Sequence, residues 1–177
     1  MPPTIRVRRG TDDDAELLAR LGAETFSDAF GPDNTPEDMA AYLRASFSPE
    51  IQAAELADPS SVFLIAEADG RIAGYARLRE GGAPAAITGS RPIEIVRFYS
   101  RTKWIGRGLG ALLMQACLSE AERRECDTIW LDVWEKNERA RAFYRKWRFV
   151  DAGAQPFQLG DDIQTDFLMQ RSVSGQP

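Results

Sequence analysis

The stretch from Ile93 to Ala121 constrains this chain more than any other, because it dictates a strand, a glycine turn and a helix in fixed succession. Ile93, Ile95, Val96, Phe98 and Tyr99 are β-branched or aromatic and suit a largely buried strand. Ser100 to Trp104 interrupts the run, and Gly106-Arg107-Gly108-Leu109-Gly110 follows, with every second residue lacking a Cβ. Leu109, Leu112, Leu113, Ala116 and Cys117 then recur at helical spacing and mark one apolar face. A glycine turn that opens a helix presents backbone N–H groups without intrahelical partners, and the helix dipole favours an anion there. The spacing therefore predicts a phosphate-binding turn.

Elements on either side set the fold class. Thr4–Arg8 alternates as a first strand, and Thr11 with Asp14 is placed to cap the helix that follows. Leu18, Leu21, Thr25, Phe26, Ala29 and Phe30 share one face of that helix. Its last turn, with Phe26 and Phe30, has two readings: core, or the wall of a pocket. Gly31-Pro32-Asp33-Asn34 ends it, Pro36 opens a second helix through Tyr42 and Leu43, and Pro49–Ala57 reads as a third. Val62–Glu67 and Arg71–Arg79 form a hairpin about an Asp-Gly step. Thr128–Trp134 is a strand beyond the central helix, so it and the strand at Ile93 pair in parallel through a right-handed crossover. Asn137 opens a helix with Ala140, Phe143, Tyr144 and Trp147 on one face. Phe149-Val150 begins another strand, and Gln158–Met169 forms the last arm, turning at Gly160-Asp161-Asp162. The expected architecture is α/β (α+β) in one domain over residues 1–172. It has a mixed, mostly antiparallel sheet of about six or seven strands, a central parallel pair, and about four or five helices. Residues 173–177 read as a polar, disordered tail.

Composition narrows the chemistry. None of the 177 residues is histidine, which excludes Ser-His-Asp and Cys-His catalysis and any His-ligated metal. Cys117 and Cys126 form no CxxC pair and read as buried thiols. The net charge of −5 gives no overall field for nucleic acid. No apolar run is long enough to span a bilayer, and no leader-like segment is visible, so a cytoplasmic protein without metal, membrane or nucleic-acid partners is expected. Gly106-x-Gly108-x-x-Ala111 also fits the dinucleotide fingerprint. However, Asp127 precedes the next strand and Asp132 lies within it, whereas that fingerprint wants an acid at the strand's end.

From Glu94 to Phe149 the chain resembles the GCN5-related N-acetyltransferases. The acetyl-CoA motif of that family, Gln/Arg-x-x-Gly-x-Gly/Ala, reads here Ile105-Gly106-Arg107-Gly108-Leu109-Gly110. Its companion reads Trp130-Leu131-Asp132-Val133-Trp134, followed by Asn137, Ala140, Phe143, Tyr144 and Phe149. Ile105 stands where the family usually has Gln or Arg, and Arg148 where a glycine often ends the helix. The resemblance implies acetyl-CoA as cosubstrate, held between splayed strands Glu94–Ser100 and Thr128–Trp134. Contacts would come from Phe98, Tyr99, Ser100, Ile105, Gly106, Arg107, Gly108, Leu109, Gly110, Asn137, Arg141 and Tyr144. It implies direct acetyl transfer to a primary amine by a monomer or homodimer. Tyr144 would be the general acid, its alternative being a buried aromatic on the helix stripe. Glu94 reads as a general base or as an edge carboxylate paired with Arg97 or Arg91. Glu24-Thr25-Phe26-Ser27-Asp28-Ala29-Phe30 with Asp33-Asn34 is similar to the bacterial polyamine-acetylating branch, in which Phe26, Phe30 and Glu94 would meet the acceptor. A non-catalytic CoA-binding regulatory module and a protein N-terminal or lysine acetyltransferase are the alternatives.

Overall fold

The computed structural model describes residues 1–174. A seven-stranded sheet runs through it in the order β1-β2-β3-β4-β5-β7-β6. The strands are β1 (Ile5–Arg9), β2 (Ser61–Ala68), β3 (Arg71–Glu80), β4 (Pro92–Ser100), β5 (Thr128–Trp134), β6 (Val150–Leu159) and β7 (Asp162–Ser172). The helices are α1 (Ala15–Phe30), α2 (Pro36–Ser46), α3 (Pro49–Ala57), α4 (Leu109–Arg123) and α5 (Glu138–Lys146). Every neighbouring pair of strands is antiparallel except β4 and β5, as the strand–helix–strand order predicts.

Local chemistry explains most boundaries. Thr35 and Ser48 cap α2 and α3 by accepting from Asp38 N and Ile51 N, each with a proline in the first turn. The Thr11–Asp14 pairing forms, with Thr11 N donating to Asp14 Oδ2 at 2.8 Å. Asp14 does more than complement a dipole, because its carboxylate also takes both terminal nitrogens of the Arg8 guanidinium, tying β1 to the start of α1. Asn137 caps α5 by accepting from Ala140 N at 3.2 Å. At the far end of α5, Arg148 takes a left-handed φ of 66°, the conformation a glycine adopts without steric cost. Ser172 ends β7, and Val173 N donates to Asp127 O at 3.0 Å; Gly175–Pro177 lie outside the described residues.

The sheet separates two packed layers. On one side α4 and α5 cover Leu64, Ala76, Ile93, Ile95, Leu131 and Val133, with Leu113, Met114 and Cys117 buried beneath α4. On the other, α1 packs Leu18 and Leu21 on Phe63, Ile65 and Tyr75. Farther along this side, Phe26, Met39, Phe47 and Leu159 form a second cluster under α2. Cys117 and Cys126 are both buried free thiols.

One irregularity positions the site. Between β3 and β4 the register runs Arg77↔Arg97 and then Leu78↔Ile95, so Val96 is the extra residue of a bulge. Bulges bend a strand and sharpen its twist. Pairing of β4 with β5 stops after Pro92↔Thr128, Ile93↔Ile129 and Glu94↔Trp130. Beyond Glu94 the two central strands part.

Candidate functional site

A cavity of about 720 Å³ occupies the gap between β4 and β5. Its first end is largely backbone. Gly106 and Gly108 take positive φ values of 77° and 85°, and a Cβ at either would meet nothing within 4 Å. Their conformation, not crowding, requires glycine. Gly108 is the left-handed residue from which α4 starts, and the turn's first intrahelical bond there is Leu112 N to Gly108 O at 3.3 Å. The amides of Leu109, Gly110 and Ala111 precede that bond and have no acceptor within the helix. Gly110 fits closely against α5, where a Cβ would stand 3.4 Å from the Phe143 ring. Ser100, Ile105, Gly106, Gly108, Gly110, Asn137, Phe143 and Tyr144 all line the wall. Arg139 and Lys146, which carried no sequence signal, line it too and add positive charge. An open turn, free amides and nearby cations fit a pyrophosphate. The parted β4 edge, with Phe98 and Ser100 on the wall, offers backbone groups to an extended arm.

Tyr144 sits where the two ends meet. It is buried among Phe98, Phe143 and Phe149, with ring centroids 6.1, 5.5 and 5.7 Å away. Burial pushes its phenol well above the ordinary tyrosine range, so it keeps its proton.

The second end is aromatic and acidic. Phe26 stacks on Tyr42 at 4.4 Å, Phe30 meets Trp134 at 5.9 Å, and Tyr42 meets Phe157 at 5.6 Å. Both readings of this helix turn hold: Phe26 is buried in the cluster with Met39, Phe47 and Leu159, with Phe30 packed against it, and both rings line the cavity. Asp132 and Asp166 also face this end. Asp132 is a charge within an otherwise apolar strand, whereas Asp166 lies in the polar run Gln164-Thr165-Asp166-Phe167, where nothing sets it apart.

The structure does not bring every expected residue to the cavity. Glu94 is buried but absent from the wall. Its carboxylate accepts from Arg79 Nη2 at 2.7 Å, not from Arg97 or Arg91, and burial pushes its pKa up against the opposing pull of Arg79. Glu94 lies in the last rung before the strands part, where the sheet is still closed. Arg97 instead pairs with Glu55, and Arg91 with Glu125. Arg141 lies over the Phe167 ring at 4.5 Å and donates to Glu135 O, away from the wall. Leu109 is fully buried in the core under α4, and Arg107 lies over Trp104 at 5.9 Å. Tyr99 reaches the cavity at the aromatic end, 6.3 Å from Phe26 and 6.4 Å from Phe30.

The acetyltransferase (GNAT) family model matches residues 23–149. The chain is 34% identical to an uncharacterized N-acetyltransferase from the pepI 3′ region of Lactobacillus delbrueckii subsp. lactis, over 96% of this chain and 98% of that one. It is 36% identical to an uncharacterized N-acetyltransferase of Mycobacterium tuberculosis, over 90% of this chain and 98% of the relative. The fold superposes on the PaiA N-acetyltransferase of Thermoplasma acidophilum, solved in complex with coenzyme A. The TM-score is 0.76 and the identity 20%, over 96% of this chain and 99% of that one. The chain belongs to the acetyltransferase (GNAT) family, whose members draw the acetyl group from acetyl-CoA. Among the described residues, no group of three or more His, Cys, Asp or Glu side chains is placed to hold a metal ion, and no helix is long and apolar enough to cross a membrane.

Proposed function

We propose that this protein transfers acetyl from acetyl-CoA directly to the primary amine of a small, cationic acceptor of the polyamine kind. The observation that carries this reading is the continuity of one cavity, from the glycine turn past Tyr144 to an aromatic and acidic end. The free amides of Leu109, Gly110 and Ala111 at the glycine turn hold the pyrophosphate, with Arg139 and Lys146 nearby and Asn137 at the wall. The exposed β4 edge at Phe98 and Ser100 pairs with the pantetheine arm. Acetyl-CoA supplies a thioester, an acyl donor activated toward amines. Tyr144 donates its phenolic proton to the departing sulfur, a role suited to a phenol that burial keeps neutral. Ile105 replaces a polar side chain of the family motif but leaves the backbone cradle intact, since the peptide N–H groups do not depend on it. A positive, apolar-stemmed acceptor matches aromatic faces flanked by carboxylates.

The test is thiol release from acetyl-CoA in the presence of spermidine, single amino acids and short peptides. Release that depends on spermidine and saturates supports the reading. Release with peptides alone moves the acceptor to a protein terminus or lysine. Confirmed CoA binding without release from any acceptor would favour a CoA-binding module over an enzyme.

A further inference from the structure

We infer that Asp132 and Asp166 form the acceptor's anchor, a carboxyl pair that seats the ammonium end of an aliphatic amine and accepts the proton it must lose. This rests on the acetyl-transfer reading above.

The sheet register makes the pair. Asp166 on β7 lies opposite Trp134 on β5, and Asp132 lies two residues earlier on β5, opposite Leu168. Side chains on one face of antiparallel neighbours meet along this diagonal. Gln155 on β6 is opposite Asp166, and its amide donates to Asp132 Oδ2 at 3.0 Å. Three strands thus bring their side chains together, and the two carboxyls of the group line the cavity.

Two observations separate this pair from an ordinary acidic cluster. First, Asp166 is only 6% exposed, and its Oδ1 is buried without a hydrogen-bond partner although the residue lines the cavity. Buried polar atoms are ordinarily satisfied, so this acceptor atom lacks the donor its burial calls for. Second, among the described residues no Arg or Lys forms an ion pair with either carboxylate. Every other buried carboxylate of the core, Asp14, Glu94 and Glu120, has an arginine. Within the chain the carboxyls have only a proton shared between them to satisfy Asp166, so a cationic donor to the pair comes from outside the chain. A single free oxygen suits an ammonium, whose donors diverge, better than a planar guanidinium, which prefers two parallel acceptors. The surrounding Tyr42, Trp134 and Phe157 rings pass an apolar stem and favour a positive head.

The titration behaviour agrees. Burial, the neighbouring Asp132 carboxyl and the more distant Glu135 push Asp166 up to about 7. Tyr42 on α2 feels the charge of both carboxyls, and Asp132 lies near enough to Glu94 on β4 and Tyr144 on α5 to hold their protons more firmly. The pair consequently holds one proton below neutral pH and can take one near it, the condition a general base requires. In the transfer, the ammonium gives one proton to the pair, and the freed lone pair forms the C–N bond as the C–S bond breaks. The sulfur takes a proton from Tyr144, and the new amide loses a second N–H proton that returns to the phenolate. The net yield is acetamide, thiol and one proton, which the pair releases to solvent.

The test titrates n-hexylamine, with hexan-1-ol as the uncharged control, into the full-length protein by calorimetry between pH 5.5 and 8.5. The amine titrations are read without CoA, and CoA binding is measured separately. In the wild-type protein, amine affinity is expected to rise roughly tenfold from pH 6 to pH 8, about half of that factor by pH 7, and to level off above pH 8, as the ammonium displaces the shared proton. Asp166→Asn and Asp132→Asn should each weaken hexylamine binding at least tenfold and flatten its pH dependence, with CoA affinity unchanged. The inference is overturned if hexylamine binds no more tightly than hexan-1-ol, if its affinity is independent of pH, or if both variants bind it as the wild type does. Loss of folding in a variant leaves the wild-type pH series to decide. Absence of CoA binding in the wild-type protein would instead strike the acetyl-transfer reading, and the amine data would stand apart from it.

Discussion

The two ends of the cavity are built on opposite principles. The turn at the glycine end comes from one continuous stretch, Ser100–Ala111, and presents mainly backbone, with Asn137, Arg139 and Lys146 beside it. The acidic end draws Phe26 and Phe30 from α1, Tyr42 from α2, Asp132 and Trp134 from β5, Phe157 from β6 and Asp166 from β7, and presents side chains. A backbone cradle tolerates side-chain change as long as its φ angles survive, which is why Ile105 can replace a polar residue. A side-chain pocket assembled from several elements changes its specificity with any one of them. This arrangement suits an enzyme that keeps one cosubstrate and varies the other.

The sharpest way to break the comparison is Tyr144→Phe, since Tyr144 stands between the ends and serves the chemistry of neither alone. Turnover should fall about 100-fold or more, with CoA and amine affinities little changed, in a thiol-release assay paired with calorimetry. An unchanged rate would remove Tyr144 as the proton donor. Gly108→Val probes the backbone end by itself. A β-branched residue at φ 85° costs about 1–2 kcal/mol and displaces the turn, so CoA affinity should drop roughly tenfold while hexylamine binding holds. If both fall together, the two ends are not separable.

A smaller effect reads the acidic end through stability. Asp166 has a raised pKa of about 7 in the folded protein, against about 3.9 when unfolded, so the native state binds more protons between these values. Stability from this group is therefore present below about pH 4 and lost as pH rises toward 7. Asp132→Asn removes the like-charge neighbour, and its Tm should exceed that of the wild type by about 2–4 °C at pH 8 and match it near pH 4. A variant less stable at both pH values would show that the pair is not in repulsion. The least effect belongs to Glu94→Gln. With its carboxylate on Arg79 and outside the cavity wall, turnover should change less than about threefold. A loss of 100-fold would return the base role to Glu94.

Much of the frame was legible in the chain itself. Period-two and helical spacing placed the strands and helices to within a few residues, and Pro36, Pro49, Asn137 and the Asp69-Gly70 step marked their ends, because capping and turn geometry are local. The glycine turn was legible for the same reason: its φ angles and its free amides belong to neighbouring residues. Tyr144 could be singled out at its place on α5, yet its burial and its retained proton depend on Phe98 and Phe149, which come from other strands. Only the tertiary structure moved Glu94 onto Arg79, Tyr99 to the aromatic end and Arg141 onto Phe167, because strand register across β3, β4, β5 and β7 sets which side chains meet. The same register set Asp166 beside Asp132, although 34 positions of chain separate them. Spacing along a sequence predicts what a residue shares with its own turn or strand, and the carboxyl pair exists only where three strands align.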